Sequence, residues 1–362
     1  MQSSSSRPRV VVINHGRGGF YDEFPHLLDA VREKADVEIF GDDANTVDEL
    51  ATRLAGAFGV IDIRARSEFG GALFDRLPDL RVVSIRGTTA PLVDEDEATE
   101  RGILVCNTPY QSSNAVAEMA MALLMAANRR ITVMHNRVQA GTWKGERGIE
   151  LKGKTLGVIG LGMIGQIMCR LGAGVGMRVI AWSPTWDPAR AAGCGAELMR
   201  TLDELLPASD AISLHLRLSD SSRGTLGKRE FSLLKDGAII VNTARAGLYD
   251  EGALIDELKS GRLIAGLDVF AQEPVPLDHP LKGLDNVIMT PHSGANTQEV
   301  AEERGRTPAE NIEGALNGTP VNVLNVDTLK HSNWGHLTPE ARAKAVSVSF
   351  SSATAHAGQN AP

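Results

Sequence analysis

The 362-residue sequence predicts an α/β protein built from two Rossmann-like, doubly wound parallel sheets. Three observations lead to this prediction. Short β-branched runs alternate with helical stretches through two successive parts of the chain, which is the pattern of βαβ units. The runs are continuously apolar, as expected for strands buried on both faces. The length also exceeds that of most single domains, so two compact units are expected.

The first set of apolar runs predicts the strands of an N-terminal α/β unit. In order they are VVVIN, DVEIF, VIDIR, VVSIRG and ILVCNTP. A long segment follows Pro109, with high helix propensity and an almost uniformly apolar first half: NAVAEMAMALLMAANRRITVMHNRVQAG. Such a segment predicts a buried helix that leads into the second unit.

The second set of runs opens at KTLGVIG and continues through RVIAW, DAISLHL, AIIVNTAR, LIAGLDVF and NVIMTP. Its spacing is typical of right-handed crossovers in a parallel sheet. The amphipathic stretch TQEVAEERGRTPAENIEGALNG is expected to return to the first unit. We therefore predict a discontinuous substrate-binding domain (1–108 and 293–325), a dinucleotide-binding domain (109–292) and a partly disordered tail (326–362).

Composition narrows the class of protein. A net charge of -8 argues against nucleic acid or an anionic membrane as the main partner, since both need clustered cations. Cys106, Cys169 and Cys194 lie far apart with no CxxC spacing, which predicts neither a disulfide framework nor a metal site. No apolar run approaches the ~20 residues of a membrane span, and no signal-peptide pattern opens the chain. These features indicate a cytoplasmic enzyme acting on a small molecule.

A glycine motif provides the first chemical indication. Gly160, Gly162 and Gly165 satisfy GxGxxG directly after a predicted strand and at the start of a predicted helix. Glycines there permit a tight turn and a close backbone approach, so that the N–H groups of the helix N-terminus can meet a pyrophosphate. The motif therefore predicts dinucleotide binding.

The loop after RVIAW leaves the choice of cofactor open. A carboxylate usually stands there, accepts both adenosine ribose hydroxyls and repels a 2′-phosphate. This sequence has Ser183 instead, which repels nothing. Arg190 and Arg217 are cations that could reach a phosphate, although neither directly follows Ser183 and each is equally consistent with a solvated surface residue. The residues favour NAD and leave NADP possible.

Polar groups follow three successive predicted strands: Arg245 in VNTARAG, Asp268 and Glu273 in LDVFAQEPVP, and His292 in VIMTPHSGAN. Ligands of doubly wound sheets bind outside the carboxyl ends of the strands. A guanidinium can hold a substrate carboxylate with two hydrogen bonds. An imidazole can exchange the proton of a hydroxyl, while a carboxylate orients it and favours its charged form. Together these side chains indicate a dehydrogenase acting on a hydroxy acid.

The chain resembles the D-isomer-specific 2-hydroxyacid dehydrogenases, a family that includes phosphoglycerate dehydrogenases, hydroxypyruvate and glyoxylate reductases and D-lactate dehydrogenases. The segments that carry the resemblance cover most of residues 80–320: ERGILVCNTP, VAEMAMALL, LKGKTLGVIGLGMIGQ, LLKDGAIIVNTARAGLYDEGALIDELKSGRLIAGLDVFAQEPVP, HPL and NVIMTPHSGANT. The resemblance includes the phosphoglycerate dehydrogenases. Some of these carry an additional regulatory domain, which we do not expect in a chain of this length.

The resemblance implies NAD(P)-dependent interconversion of a D-2-hydroxy acid and its 2-oxo acid. It makes Arg245 the substrate carboxylate anchor, His292 the acid/base and Glu273 its partner, in a cleft between the two domains. It also implies a homodimer formed through the nucleotide-binding domain, and places Asp268 near the nicotinamide amide. The implied cofactor contacts are Thr88, Gly160, Gly162, Met163, Ile164, Gly165, Ser183, Leu216, Thr243, Ala244, Arg245, Asp268, His292, Gly294 and Ala295.

The sequence departs from the family pattern at Ser183 and in two further places. In GTTAP, Thr89 stands where a second glycine is usual, which narrows backbone freedom, and Pro91 removes an amide. Ala246 replaces the glycine after Arg245, a change expected to be tolerated. Substrate side-chain contacts are expected from HGRGGF, RARSEF and RGTTAP. Arg64, Arg66 and Arg86 in these loops would favour a phosphorylated or second anionic group, although each is equally consistent with a surface charge.

One alternative of another class stays open on the sequence. Carboxyl-terminal-binding corepressors of the same superfamily are dimeric binding proteins controlled by a nucleotide, and they retain the Arg/Glu/His set. Fold and site analogy underdetermine function, so the three side chains do not exclude this alternative. The short tail shows no peptide-docking motif that would favour it.

Overall fold

The computed structural model describes residues 7–13, 20–44, 46–63, 66–109 and 112–346. The chain divides into two compact units. The first is formed by residues 1–111 together with 298–362, and the second by residues 112–297. Most of the HGRGGF loop and Arg64 lie outside the described residues.

The first unit contains a five-stranded parallel sheet in the order β2-β1-β3-β4-β5. Val10 to Ile13, in the interior strand β1, are fully buried, which explains the continuous apolar run. The strands are β1 (Arg9–Ile13), β2 (Asp36–Phe40), β3 (Ala57–Asp62), β4 (Val82–Ile85) and β5 (Leu104–Cys106). The helices between them are α1 (Phe20–Glu23), α2 (Asp29–Arg32), α3 (Val47–Leu54), α4 (Gly71–Phe74) and α5 (Glu95–Glu100), with a 3₁₀ turn at Pro25–Leu28.

The second unit opens with α6 (Ser113–Asn128) and α7 (Ile131–Gln139). Ala120 and Leu124 of α6 are fully buried, so the predicted buried helix is present. Its seven strands are β6 (Thr155–Ile159), β7 (Arg178–Trp182), β8 (Glu197–Leu198), β9 (Ala211–Leu214), β10 (Ile239–Asn242), β11 (Ile264–Leu267) and β12 (Val287–Met289). The remaining helices are α8 (Met163–Gly174), α9 (Pro188–Gly193), α10 (Leu202–Ala208), α11 (Lys228–Leu233) and α12 (Glu251–Lys259), with a 3₁₀ turn at Ala246–Leu248.

These seven strands form one parallel sheet in the order β12-β11-β10-β9-β6-β7-β8. The strand order reverses at β6, so the carboxyl ends of β6 and its neighbours face the crevice where such sheets bind ligands. The two parallel sheets with their covering helices confirm the predicted fold class. The two-residue edge strand β8 was not predicted, because its sequence carries no strand pattern.

The C-terminal segment belongs to the first unit through α13 (Gln298–Leu316), two 3₁₀ turns (Val326–Lys330 and Ser332–Trp334) and α14 (Pro339–Ala345). The prediction of a separate tail from 326 is wrong for residues 326–346. Trp334 is buried and its Nε1 donates to the carbonyl of Gly102 over 3.0 Å. Leu329 and Leu337 join the same apolar core. The sparse spacing of these apolar residues among polar ones concealed the packing, and residues 347–362 lie outside the described part.

In the described ranges, no helix combines the length and apolarity needed to cross a membrane.

Candidate active site

The glycine motif forms the turn between β6 and α8. Gly160 has φ +104°, and a Cβ there would lie 2.8 Å from the carbonyl carbon of His215. A Cβ on Gly165 would lie 1.9 Å from the carbonyl oxygen of Gly160, so the helix can approach the turn only with glycine present. Gly162 is the N-cap of the 12-residue helix α8 and supplies no side-chain cap. The first N–H groups of the helix therefore remain available to an anion.

The end of β7 lies next to this turn, because the N–H of Gly160 donates to the carbonyl of Trp182 over 2.8 Å. Ser183 follows directly and is half-buried. Arg190, one of the two predicted phosphate candidates, is paired with Asp187 at 3.2 Å, and Asp187 also caps α9. The other candidate, Arg217, is exposed after β9. Arg190 is therefore committed within its own helix.

The turn after β10 is held by Asn242. Its Oδ1 accepts from the N–H of Ala244 at 2.8 Å, and its Nδ2 donates to the carbonyl of Arg245 at 2.9 Å. The Arg245 side chain is exposed beyond this turn. Thr243 is buried, and its hydroxyl has no hydrogen-bond partner within the described structure. A buried hydroxyl without a partner is rare, and points to a ligand that completes it.

Asp268 follows β11 and is 1% exposed. Its Oδ1 accepts from the hydroxyl of Thr290 at 2.5 Å and from the N–H of Ser293 at 2.9 Å. Its Oδ2 accepts from the N–H of Gly294 at 2.8 Å. One buried carboxylate thus fixes the loop that carries His292. The sequence did not reveal this role, because the three donors come from residues more than twenty positions away.

His292 and Glu273 are joined by a hydrogen bond of 2.7 Å between Nδ1 and Oε2. Glu273 Oε1 also accepts from the N–H of Phe270 at 2.9 Å. Burial raises the pKa of Glu273, but the hydrogen bonds from His292 and Phe270 and the charges of His292 and Arg245 outweigh it, so the pKa is lowered. The carboxylate is therefore ionised at neutral pH, and it becomes neutral only as the pH falls through the lowered pKa.

The other predicted residues lie around these turns, apart from Thr88. Met163 and Ile164 open α8, Leu216 follows β9, and Ala295 follows the His292 loop. Thr88 lies in the first unit, where its carbonyl accepts from the side chain of Asn107 at 2.8 Å.

Arg66 and Arg86, proposed above as substrate contacts, also lie in the first unit. Sequence reasoning missed His215, which lies partly buried beside the glycine turn and is hydrogen-bonded through Nε2 to the Ser213 hydroxyl at 2.8 Å. Burial lowers the pKa of His215 to about 4, so this imidazole is neutral.

The glycine turn and the side chains of Arg245, Glu273 and His292 thus follow strands of one doubly wound parallel sheet. Residues 121–294 match the model of the D-isomer specific 2-hydroxyacid dehydrogenase NAD binding domain. The chain is 34% identical over 335 residues to a glyoxylate reductase of Aeropyrum pernix, covering 90% of this chain and 98% of the relative. The chain belongs to the D-isomer-specific 2-hydroxyacid dehydrogenase family.

Two further relatives agree with this assignment. A D-3-phosphoglycerate dehydrogenase of Methanocaldococcus jannaschii is 40% identical over 298 residues, covering 81% of this chain but 56% of the relative. The chain thus spans about half the length of that curated relative. The crystal structure of the TT0316 protein from Thermus thermophilus superimposes with a TM-score of 0.71 at 32% identity, over 87% of this chain and 99% of the other.

A nicotinamide dinucleotide fits the residues present. The glycine turn leaves no room for side chains, the N-terminus of α8 faces it without a side-chain cap, and Thr243 offers an unmatched buried hydroxyl. Over the described ranges, the His, Cys, Asp and Glu side chains form no group of three that could hold a metal ion.

Proposed function

We propose that the protein interconverts a D-2-hydroxy acid and its 2-oxo acid with a nicotinamide dinucleotide. The observation that carries the proposal is the 2.7 Å contact between His292 and Glu273 on the same sheet that carries the GxGxxG turn. A proton-transfer group and a dinucleotide cradle at one sheet edge are the two parts that this reaction needs. The names of the relatives support small 2-oxo acids, such as glyoxylate or phosphohydroxypyruvate.

Gly160, Gly162 and Gly165 would hold the pyrophosphate, and Thr243 and Asp268 would lie toward the nicotinamide. When bound, the dinucleotide supplies or accepts the hydride at the substrate C2. The protein's own task is to position the acid and to move one proton. Ser183 leaves both nicotinamide dinucleotides admissible, because it neither repels nor clamps a 2′-phosphate.

His292 performs the proton transfer. Its Nδ1 is occupied by Glu273, which leaves Nε2 to meet the substrate oxygen. During reduction, Nε2 gives its proton to the C2 oxygen as that oxygen gains charge, and during oxidation neutral Nε2 takes the proton of the C2 hydroxyl. The ionised Glu273 stabilises the imidazolium that forms when Nε2 takes the proton of the hydroxyl.

Arg245 binds the substrate carboxylate. Its backbone is fixed by Asn242, and its exposed guanidinium donates from one terminal nitrogen to the carbonyl of Ala244 at 2.6 Å. The remaining N–H groups can form hydrogen bonds with a substrate carboxylate. These hydrogen bonds orient the substrate C2 for hydride transfer, and correct orientation of the reacting atoms raises the rate of reaction.

The test is the loss of NADH or NADPH absorbance, each measured separately with 3-phosphohydroxypyruvate, hydroxypyruvate, glyoxylate and pyruvate, followed by chiral analysis of the product. We expect turnover with at least one 2-oxo acid and a product of D configuration. Tight binding of a nicotinamide dinucleotide without turnover on any of these acids would instead favour the dimeric binding protein.

We also propose that the protein is a homodimer formed through the second unit. Helix α7 buries none of its side chains, and Trp143, shortly after it, is 93% exposed. Glu146 bonds Arg130 at 3.0 Å and Arg137 at 2.6 Å, which holds the segment containing Trp143 against α7. The exposed apolar side chains of this surface are Ile131, Val138, Trp143 and Ile149. An exposed apolar surface of this kind marks an interface between chains.

Sedimentation velocity tests the dimer. The wild-type protein should sediment at twice the chain mass, and Trp143→Ala should shift the monomer–dimer equilibrium toward monomer. Trp186→Ala is the matched control, because Trp186 is also an exposed tryptophan of the second unit but lies far along the chain from α7. A monomeric wild type at micromolar concentration would overturn the proposal.

A further inference from the structure

The end of the edge strand β8 lies beside Ser183. Strands β7 and β8 run parallel with Ala181 opposite Leu198, and the N–H of Met199 donates to the carbonyl of Ala181 over 2.7 Å. Continuing this register by two residues places Arg200 next to Ser183 at the carboxyl end of the sheet. Arg200 is thus next to the position where the family usually has a carboxylate.

The side chain of Arg200 is positioned by an aromatic ring and not by a carboxylate. Its Cζ lies 5.0 Å from the centroid of the Trp186 ring, in the loop between Ser183 and α9. Its backbone N–H donates to Glu204 Oε2 at 2.9 Å. An aromatic face attracts a guanidinium and keeps its N–H edges free for other partners.

Two other arginines of this part of the second unit form ion pairs with carboxylates, but Arg200 does not. Arg178 pairs with Glu197 at 2.6 Å, and Arg190 pairs with Asp187 at 3.2 Å. Considering only the residues that the structure describes, no carboxylate lies within ion-pair distance of the Arg200 guanidinium. The Arg200 guanidinium therefore has no carboxylate partner among the described residues at the end of the sheet where Ser183 lies.

We infer that Arg200, positioned by Trp186, binds the 2′-phosphate of NADP(H), so that the protein prefers NADP(H) to NAD(H). This inference rests on the proposed dehydrogenase function. A planar guanidinium matches phosphate oxygens, and the Ser183 hydroxyl can donate a further hydrogen bond. The negative charge of Asp187 is offset by Arg190 and by its capping bond, so it opposes the phosphate little.

Isothermal titration calorimetry of the full chain tests the inference without turnover. Adenosine 2′,5′-bisphosphate and adenosine 5′-monophosphate differ only in the 2′-phosphate, and NADPH and NADH form the second pair. The wild type should bind the 2′-phosphorylated member of each pair about 10-fold to 100-fold more tightly. Arg200→Ala should remove most of that advantage, because it removes the contact between the guanidinium and the 2′-phosphate. The affinities for adenosine 5′-monophosphate and NADH should stay within about twofold of the wild-type values.

Two further variants sharpen the assignment. Ser183→Asp should reverse the preference toward NADH, because a carboxylate there repels the 2′-phosphate. Arg178→Ala is the matched control, since Arg178 is an exposed, ion-paired arginine at the opposite end of β7. Arg178→Ala should leave the affinities for all four ligands unchanged.

The inference would be overturned if the wild type bound the two members of each ligand pair with equal affinity. It would also be overturned if Arg200→Ala lowered the affinity for both members equally. The second result would make Arg200 a support of the loop and not a phosphate ligand. Tight NADH binding with weak NADPH binding would remove the inference and leave the proposed function intact. Failure to bind either dinucleotide would remove both.

Discussion

The two ends of the second unit's sheet hold their polar side chains in different ways. At the β11–β12 end, Asp268 accepts three hydrogen bonds from the loop that carries His292, and Glu273 fixes the imidazole at 2.7 Å. At the β7–β8 end, Arg200 is held by one aromatic face. Proton transfer requires the acid, base and substrate to be held within fractions of an ångström, whereas a 2′-phosphate on the surface needs only a nearby charge.

This difference suggests how the two ends can diverge. A substitution among the hydrogen-bonded groups near His292 leaves buried partners unpaired, which is costly in a low-dielectric site. A substitution at Ser183 or Arg200 disturbs few other contacts. The same sheet can therefore keep its chemistry while its cofactor preference changes.

The largest effect is expected from His292→Ala, which removes the proton-transfer group. Turnover should fall by about 10²- to 10⁴-fold, while the dissociation constant of NADPH stays within about twofold. Stopped-flow turnover and calorimetry on the same preparation provide the two numbers. His26→Ala, an exposed histidine of the first unit, is the control and should leave both unchanged. Wild-type turnover in His292→Ala would show that His292 does not transfer the proton. The β11–β12 end of the sheet would then not be the site of proton transfer.

Asp268→Asn tests the structural part of the comparison. Asp268 now accepts hydrogen bonds from three donors. The amide nitrogen of an asparagine would itself be a donor, so at least one of these groups would be left buried and unpaired. The free energy of unfolding should fall by about 1–3 kcal/mol, measured by urea denaturation. Asp278→Asn, an exposed carboxylate beyond Glu273, is the control. An unchanged unfolding midpoint in Asp268→Asn would mean that the loop carrying His292 does not depend on this carboxylate.

The contrast also explains which features were predictable from the sequence. The glycine motif was recognisable because a side chain at Gly160 or Gly165 would meet backbone atoms, so the turn demands glycine at both positions. The strands were recognisable from continuous apolar runs, since burial on both faces leaves that pattern.

Features that depend on register or on long-range donors left no such pattern. Arg200 lies beside Ser183 only because the two-residue strand β8 pairs with β7 in one particular register. Asp268 contacts its three donors across more than twenty residues of intervening chain. The packing of Trp334 into the first unit was hidden for the same reason, since its partner Gly102 lies far away in the sequence.

The smallest effect is expected from Trp186→Leu, which keeps an apolar side chain but removes the aromatic face under Arg200. An exposed cation–π contact contributes about 0.5–1 kcal/mol, so the affinity for NADPH should fall about two- to fivefold. The affinity for NADH should stay the same, because the ring would act through Arg200 and not through the adenosine.

Calorimetry of Trp186→Leu in the Arg200→Ala background separates these two roles. If the ring acts by positioning the guanidinium, the second substitution adds no further loss, and the two effects are not additive. A full additional loss of NADPH affinity, matched by a loss for NADH, would show that Trp186 contacts the nucleotide itself. The β7–β8 end of the sheet would then bind the adenosine by stacking on Trp186 and the 2′-phosphate through the charge of Arg200.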